Sequence, residues 1–239
     1  MELEPLAFRY PEVLTSIRAC RGTFMETVDD QALDAVNQFT LRNLSRKDIA
    51  IFQLDLCHNQ VDRHFSRFPD EELERINALV IGKPLMERHD LRGSLPRGRF
   101  FRSSLHREGE RLCVRPEVYV LRTAGNREFI QNIEGGIFRD TSIGFSFRIP
   151  ECAVCGKDMR ECEHVPGQRY DDTEAHYIMR QVTDVIEGSI VSSGSQGTGF
   201  IAAEQRSALF SQTLQPDSNV QDIFDLSVDG KHRRIWADE

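Results

Sequence analysis

Arg139-Asp140-Thr141-Ser142-Ile143-Gly144-Phe145-Ser146-Phe147 is a run that alternates, from Ser142 onward, between small positions and large apolar ones. A strand has a side-chain period of two, so Ile143, Phe145 and Phe147 share one face and Ser142, Gly144 and Ser146 the other. The apolar face packs into a core. The opposite face carries little bulk, so a hydroxyl at Ser142 can meet another group. A serine in such a slot is a nucleophile only where a base reaches it; otherwise it is a small residue packed on a strand.

The segments around this strand read as alternating strands and short helices. Before it, Asn126 to Glu134 places Phe129, Ile130 and Ile133 on one helical side and stops at Gly135-Gly136. Leu112 to Leu121 alternates and carries Pro116, which predicts an edge position or a bulge. Leu91 to Arg111 is basic and glycine-interrupted, as expected of a solvated hairpin. Lys83 to His89 is a short strand ending in His89-Asp90. Pro69 to Ile81 is the clearest helix: proline and three acidic residues open it, Leu73, Ile76, Leu79 and Val80 form its stripe, and Gly82 ends it. Ile49 to Leu56 predicts a first strand with Ala50, Phe52, Leu54 and Leu56 on one face. Asp29 to Leu44 predicts a helix burying Leu33, Val36, Leu41 and Leu44.

After the Ser142 strand come a polar module over Glu151 to Tyr170, a long strand from Tyr177 to Val191, and a glycine-serine loop from Ser192 to Gly199. A helix from Ile201 to Leu214 and a polar tail after Pro216 complete the chain. These elements predict an α+β fold: a mainly antiparallel sheet, closed into a barrel and flanked by helices, with a small zinc-knuckle insertion at 151–170. The expected divisions are 1–47, an extension with one helix; 48–215, the main domain; and 216–239, a tail or linker.

The formal net charge of −8 argues against general nucleic-acid binding. No apolar run approaches the ~18 residues of a membrane span. The acidic start Met1-Glu2-Leu3-Glu4-Pro5 lacks the pattern of a signal peptide, so a reducing cytoplasm is expected, where clustered cysteines are more often metal ligands than disulfides.

Three of the six cysteines cluster. Cys152-Ala-Val-Cys155 supplies two thiolates across a tight turn, and Cys162-Glu-His164 supplies two more ligands on one side of an extended segment. Four ligands of the type zinc prefers, all positions filled, predict a structural ion rather than a catalytic one. A redox Cys-x2-Cys pair is the alternative; Gly156 and the second ligand pair argue against it.

Among the seven histidines, His58, His64, His106, His176 and His232 lie in polar surroundings and are expected at the surface. His89 ends an apolar segment. Glu187 sits in Val185-Ile186-Glu187-Gly188-Ser189-Ile190-Val191, which is too apolar for an idle charge, so its carboxylate requires a cationic or N–H partner. A histidine donating its second ring nitrogen there would satisfy both groups. Asp90 and Asp140 are the other candidate acids.

Lys83-Pro84-Leu85-Met86-Glu87-Arg88-His89-Asp90, Thr141-Ser142-Ile143-Gly144-Phe145 and Ile186-Glu187-Gly188-Ser189-Ile190-Val191 together resemble three blocks of the prohead maturation proteases of tailed phages, of the HK97 type. Asn59-Gln60-Val61-Asp62-Arg63 also resembles that family's first strand-to-helix passage, and the likeness spans roughly residues 48 to 205. The resemblance implies a barrel-like fold shared with herpesvirus assembly proteases. It implies Ser142 as nucleophile, His89 as general base and Glu187 as its orienter. It further implies a serine endopeptidase acting in the host cytoplasm inside an immature capsid, with capsid or scaffold protein as substrate, no nucleic-acid or membrane partner, and self-cleavage and homo-oligomerisation both open. The cysteine module between Ser142 and Glu187 departs from the family pattern. Two other readings stand beside it: a zinc-stabilised scaffolding component without activity, and a zinc-dependent hydrolase.

Overall fold

A computed structural model describes residues 28–201. The aperiodic N-terminal stretch, the helix expected from Ile201 to Leu214 (beyond Ile201 itself) and the tail after Pro216 lie outside the described residues. No helix among the described residues is long and apolar enough to cross a membrane.

Strand β1 (Ile49–Gln53) is buried on both faces. Ala50 and Phe52 join the main core, while Ile49 and Ile51 join a second cluster with Ala32 and Val36 of helix α1 (Asp30–Asn37). Helix α1 is shorter than its pattern predicts. The Asn37 side chain both donates to the carbonyl of Leu44 and accepts from its N–H, turning the chain back, and Leu41 is left fully exposed.

After β1 come two short strands, β2 (Cys57–His58) and β3 (Ser66–Arg67), then helix α2 (Asp70–Leu79), which buries Leu73 and Ile76, and β4 (Pro84–Glu87). The basic stretch from Leu91 does not form a hairpin of its own: its one strand, β5 (Gly98–Glu108), pairs with the mostly buried β6 (Arg111–Leu121). Helix α3 (Arg127–Glu134) turns Phe129, Ile130 and Ile133 inward, as their spacing predicts. Strand β7 (Asp140–Cys152) is followed by the small pair β8 (Arg169–Tyr170) and β9 (Thr173–Glu174), then by β10 (Tyr177–Ile190) and β11 (Thr198–Gly199).

The main sheet runs β1-β6-β5-β4-β10-β7-β11, with β2 added to β6 and β3 to β10. It is mostly antiparallel, but β10 pairs in parallel with both β3 and β4. The expected closed barrel is not formed: the sheet is open, with β1 and β11 as its ends. What passes between those ends is an isolated Leu54–Phe200 bridge flanked by two backbone bonds, not a ladder. Of the two outcomes Pro116 suggested, β6 is not an edge, but an irregularity does fall beside Pro116: the β5–β6 register shifts between Phe100 and Arg102, opposite Val118 and Glu117. The Pro116 carbonyl accepts from Leu54 on the side where β1 breaks off before β2, so the missing N–H falls in that gap.

Strand β10 organises the sheet. One edge pairs with β7 along its length; the other pairs with β3 at its start and with β4 at its end. Between β3 and β4 that second edge has no strand beside it, and Gln181 there takes a left-handed φ of 58°. Helix α2 fills the gap. The buried Glu72 carboxylate accepts from the N–H groups of Gln181 (2.7 Å) and Val182 (3.0 Å). A side chain thus replaces the missing strand, as the pairing of buried N–H groups requires.

His58 is buried, contrary to its polar sequence context. Its Nδ1 accepts the N–H of Gln60 at 3.2 Å, so Nε2, 2.8 Å from the Gln196 carbonyl oxygen, carries the proton. Gln196 also bonds the His58 backbone on both sides, fixing the loop that joins β10 to β11. Burial first, and then the Arg111 charge, hold the imidazole pKa below its ordinary 6.5.

Two predictions follow from these contacts. Glu72→Ala leaves the buried Val182 N–H and the partly buried Gln181 N–H without their acceptor and costs about 1–3 kcal/mol in urea unfolding, where a surface carboxylate would cost almost nothing. For His58, the unfolded chain takes up a proton below pH ~6.5 while the folded protein resists it. Stability is therefore fully present above that pH and is lost as the pH falls toward the depressed folded value. Urea midpoints drop between pH 7.5 and 5.5, and His58→Gln flattens that part of the profile.

Candidate functional site

The three residues singled out by the family resemblance lie on three elements that meet around β10. His89 follows β4. The parallel ladder continues through Arg88, whose N–H donates to the Ile190 carbonyl at 2.9 Å. The chain then turns sharply, with Arg88 and His89 both left-handed at φ 60° and 51°. Non-glycine residues in that region cost roughly 1–3 kcal/mol each and persist only where neighbours hold them. The turn is held by Asp90, whose carboxylate accepts from Arg92 and Gly93. That use removes Asp90 as an orienter of its neighbour.

Glu187 is 1% exposed, and its carboxylate lies across from β7. Register pairs Glu187 with Gly144 and Ser189 with Ser142, so all four share one face of the ribbon. Gly144 carries no left-handed φ, yet a Cβ there would collide with Glu187 Oε1. Glycine is required because the carboxylate fills the space a side chain would take. A register shift between Val185 and Glu187 sets this alignment.

His89 Nδ1 and Glu187 Oε1 are 2.5 Å apart. With a buried carboxylate as acceptor, Nδ1 carries the proton, and among the described residues Nε2 has no hydrogen-bond partner, on a side chain 40% exposed. The other carboxylate oxygen accepts the Ser189 hydroxyl at 2.5 Å. Ser142 is half-buried on the same face. Among the described residues no hydrogen bond joins its hydroxyl to His89. Asp140, the third candidate acid, lies at the start of β7 opposite Gly199. The structure thus brings the expected base and acid into contact and sets the expected serine on the adjoining strand. Sequence reasoning missed Ser189 and the role of Gly144. The signals were present: Ser189 is two residues from Glu187 on one strand face, and Gly144 stands between Ser142 and Ser146 on the small face of its strand with no side chain at all.

A second centre occupies the connection from β7 to β10. Cys152 ends β7 and pairs with Tyr177, the first residue of β10. The donor atoms of Cys152, Cys155, Cys162 and His164 all lie within 4.8 Å of one another, and Cys152 Sγ is 3.6 Å from His164 Nδ1. Donors about 2.0–2.3 Å from a tetrahedral zinc stand roughly 3.3–3.8 Å apart, the range of the Cys152–His164 pair, and the set as a whole is consistent with such an ion. Gly156 at φ 72° lets the chain fold back, its N–H donating to the Cys152 carbonyl. Burial tends to push the Cys152 thiol up, but the N–H groups of Cys155 and Val154 and the neighbouring thiols outweigh it and hold the thiol below its ordinary range. Burial, with the adjacent Cys152, pushes the Cys162 thiol up. One of the clustered thiols is thus set to be thiolate first, which suits a cation. The apolar support is small: Cys152, Met159 and Ala175, with His164 set edge-on to Tyr170. This is a structural metal site of the zinc type, with all four protein positions supplied. It stands ten residues along β7 from Ser142, roughly 30 Å at strand rise, so an ion there has no reach to that hydroxyl.

No protein-family model, curated protein or solved structure matches the chain.

The purified protein should bind one zinc per chain by atomic emission. Cys162→Ala should abolish that binding and raise hydrogen exchange across 153–176 while α2 stays protected. A metal contribution of ~3 kcal/mol corresponds to a fall in Tm of roughly 6–12 °C on chelation, reversed by zinc.

Proposed function

We propose that the protein is a serine endopeptidase of the prohead-maturation kind, acting on capsid or scaffold protein within an immature capsid. The observation that carries this reading is the 2.5 Å pair between His89 Nδ1 and the buried Glu187 carboxylate. It joins two of three distant segments that resemble the protease blocks, and the third, Ser142, shares the Glu187 face of the ribbon. In this reading Glu187 holds the imidazole as its Nδ1–H tautomer and stabilises the imidazolium as it forms. Nε2 takes the Ser142 proton as the hydroxyl attacks a peptide carbonyl, then gives it to the leaving amine. Unliganded sites often hold such pairs at longer range, tightening when substrate arrives.

A second reading has the more complete local geometry behind it. The three-cysteine, one-histidine set is whole, whereas among the described residues no hydrogen bond joins the Ser142 hydroxyl to the imidazole. A zinc-stabilised scaffolding component of the procapsid would need the metal site and the fold but no cleavage. The zinc-dependent hydrolase is the weakest of the three, since the metal position offers no open coordination site.

The two leading readings separate in one experiment. On coexpression with the cognate capsid protein, Ser142→Ala should reduce processing by at least about 10³-fold while keeping the fold and the zinc. Unchanged processing removes Ser142 from the chemistry, and no processing by the wild-type chain, with no labelling by a fluorophosphonate, leaves the scaffolding reading.

A further inference from the structure

Ser189 has no assigned part in the readings above, yet it is fully buried and spends both hydrogen-bonding functions of its hydroxyl on the site. The hydroxyl accepts the backbone N–H of His89 at 3.0 Å and donates to Glu187 Oε2 at 2.5 Å. The direction of each bond is fixed by chemistry. A backbone N–H can only donate, so Ser189 Oγ accepts there, and its one proton is left for the carboxylate.

Each bond solves a problem set by the fold. The parallel ladder between β4 and β10 ends at Arg88, where the backbone enters two consecutive left-handed residues. The next N–H, that of His89, has no ladder acceptor, and Ser189 Oγ supplies one. This roots the base at its Cα. Glu187, for its part, has two oxygens and one imidazole to hold. With Oε2 taken by Ser189, Oε1 alone faces His89, and the carboxylate plane cannot swing away. One hydroxyl therefore fixes the imidazole from both ends: through the backbone that carries it and through the acid that binds its ring.

We infer that Ser189 is a positioning residue for His89. This rests on the peptidase reading for its catalytic consequence, but the geometric claim stands apart from it. The same geometry separates the two serines. Ser189 has 0% exposure and its hydroxyl proton is given to Glu187, whereas Ser142 is half-buried and unbonded among the described residues. Serine-directed reagents should therefore label Ser142 and not Ser189.

The test compares wild type, Ser189→Ala, Ser189→Cys and Ser189→Thr as full chains. Proton NMR follows the low-field Nδ1–H signal of His89, assigned by its loss in His89→Gln; this readout needs no activity. Ser189→Ala should abolish or strongly shift the signal, Ser189→Cys, nearly isosteric with a weaker donor, should give an intermediate result, and Ser189→Thr should restore it. In cleavage assays Ser189→Ala should lower kcat roughly 10- to 100-fold with KM little changed, the size of effect seen when the second partner of a functional histidine is removed. A wild-type Nδ1–H signal in folded Ser189→Ala overturns the inference whether or not the protein cleaves anything. So does fluorophosphonate labelling at Ser189. Failure of the peptidase reading shows separately, as processing indifferent to Ser142→Ala.

Discussion

A carboxylate with almost no contact with water sits at the centre of this protein. Removing a charge from solvent costs several kcal/mol, and the cost is offset only by close, well-directed partners. Glu187 has such partners: an imidazole N–H on one oxygen and a serine hydroxyl on the other. It also needs room beside the neighbouring strand, and Gly144 provides it. These groups come from β7, β10 and the turn after β4, so satisfying one carboxylate fixes how three elements meet.

The rest of the fold reads as support for that meeting. Strand β10 carries Glu187 and Ser189, and its two edges are secured differently. Strand β7 pairs along one edge, and the metal knuckle ties the far ends of both strands together through Cys152 and the chain leading to Tyr177. Along the other edge, β3 and β4 leave a gap that α2 bridges through Glu72. At the site end, the loop after β10 is clamped by the His58–Gln196 contacts. At these two places a side chain supplies hydrogen bonds that a strand partner would otherwise make.

Much of this was legible in the sequence where local pattern settles the outcome. The apolar stripe and acidic start of α2, the inward face of α3, the alternation of β7 and the spacing of four metal ligands all depend on near neighbours, and all are found. The pairing of His89 with Glu187 was legible only through the family resemblance and the argument that an acid in an apolar run needs a partner. What escaped depends on distant contacts. Periodicity could not show that Asn37 would turn the chain at Leu44, that Gln196 would cover His58, or that β1 and β11 would meet in a single bridge instead of closing a barrel. Proline suggested an edge or a bulge at Pro116; a register shift does fall beside it, but β6 is no edge, and the strand it faces stops short there, a matter of register rather than composition. Ser189 was readable only as a small hydroxyl two residues from Glu187 on the same strand face, and Glu187 drew the attention.

The central claim is that the Glu187 carboxylate occupies the space over Gly144, and a double-mutant cycle tests it most directly. Stability is measured by urea unfolding for wild type, Gly144→Ala, Glu187→Ala and the double variant. Gly144→Ala alone should be strongly destabilising, because the new methyl displaces a buried charge; with Glu187 truncated the methyl has free space and costs little. The coupling should be about 1–3 kcal/mol, the range found for residues in direct contact. Additive effects within ~0.5 kcal/mol would mean that the carboxylate does not lie there, and the arrangement of His89, Glu187 and Ser189 described above would be contradicted.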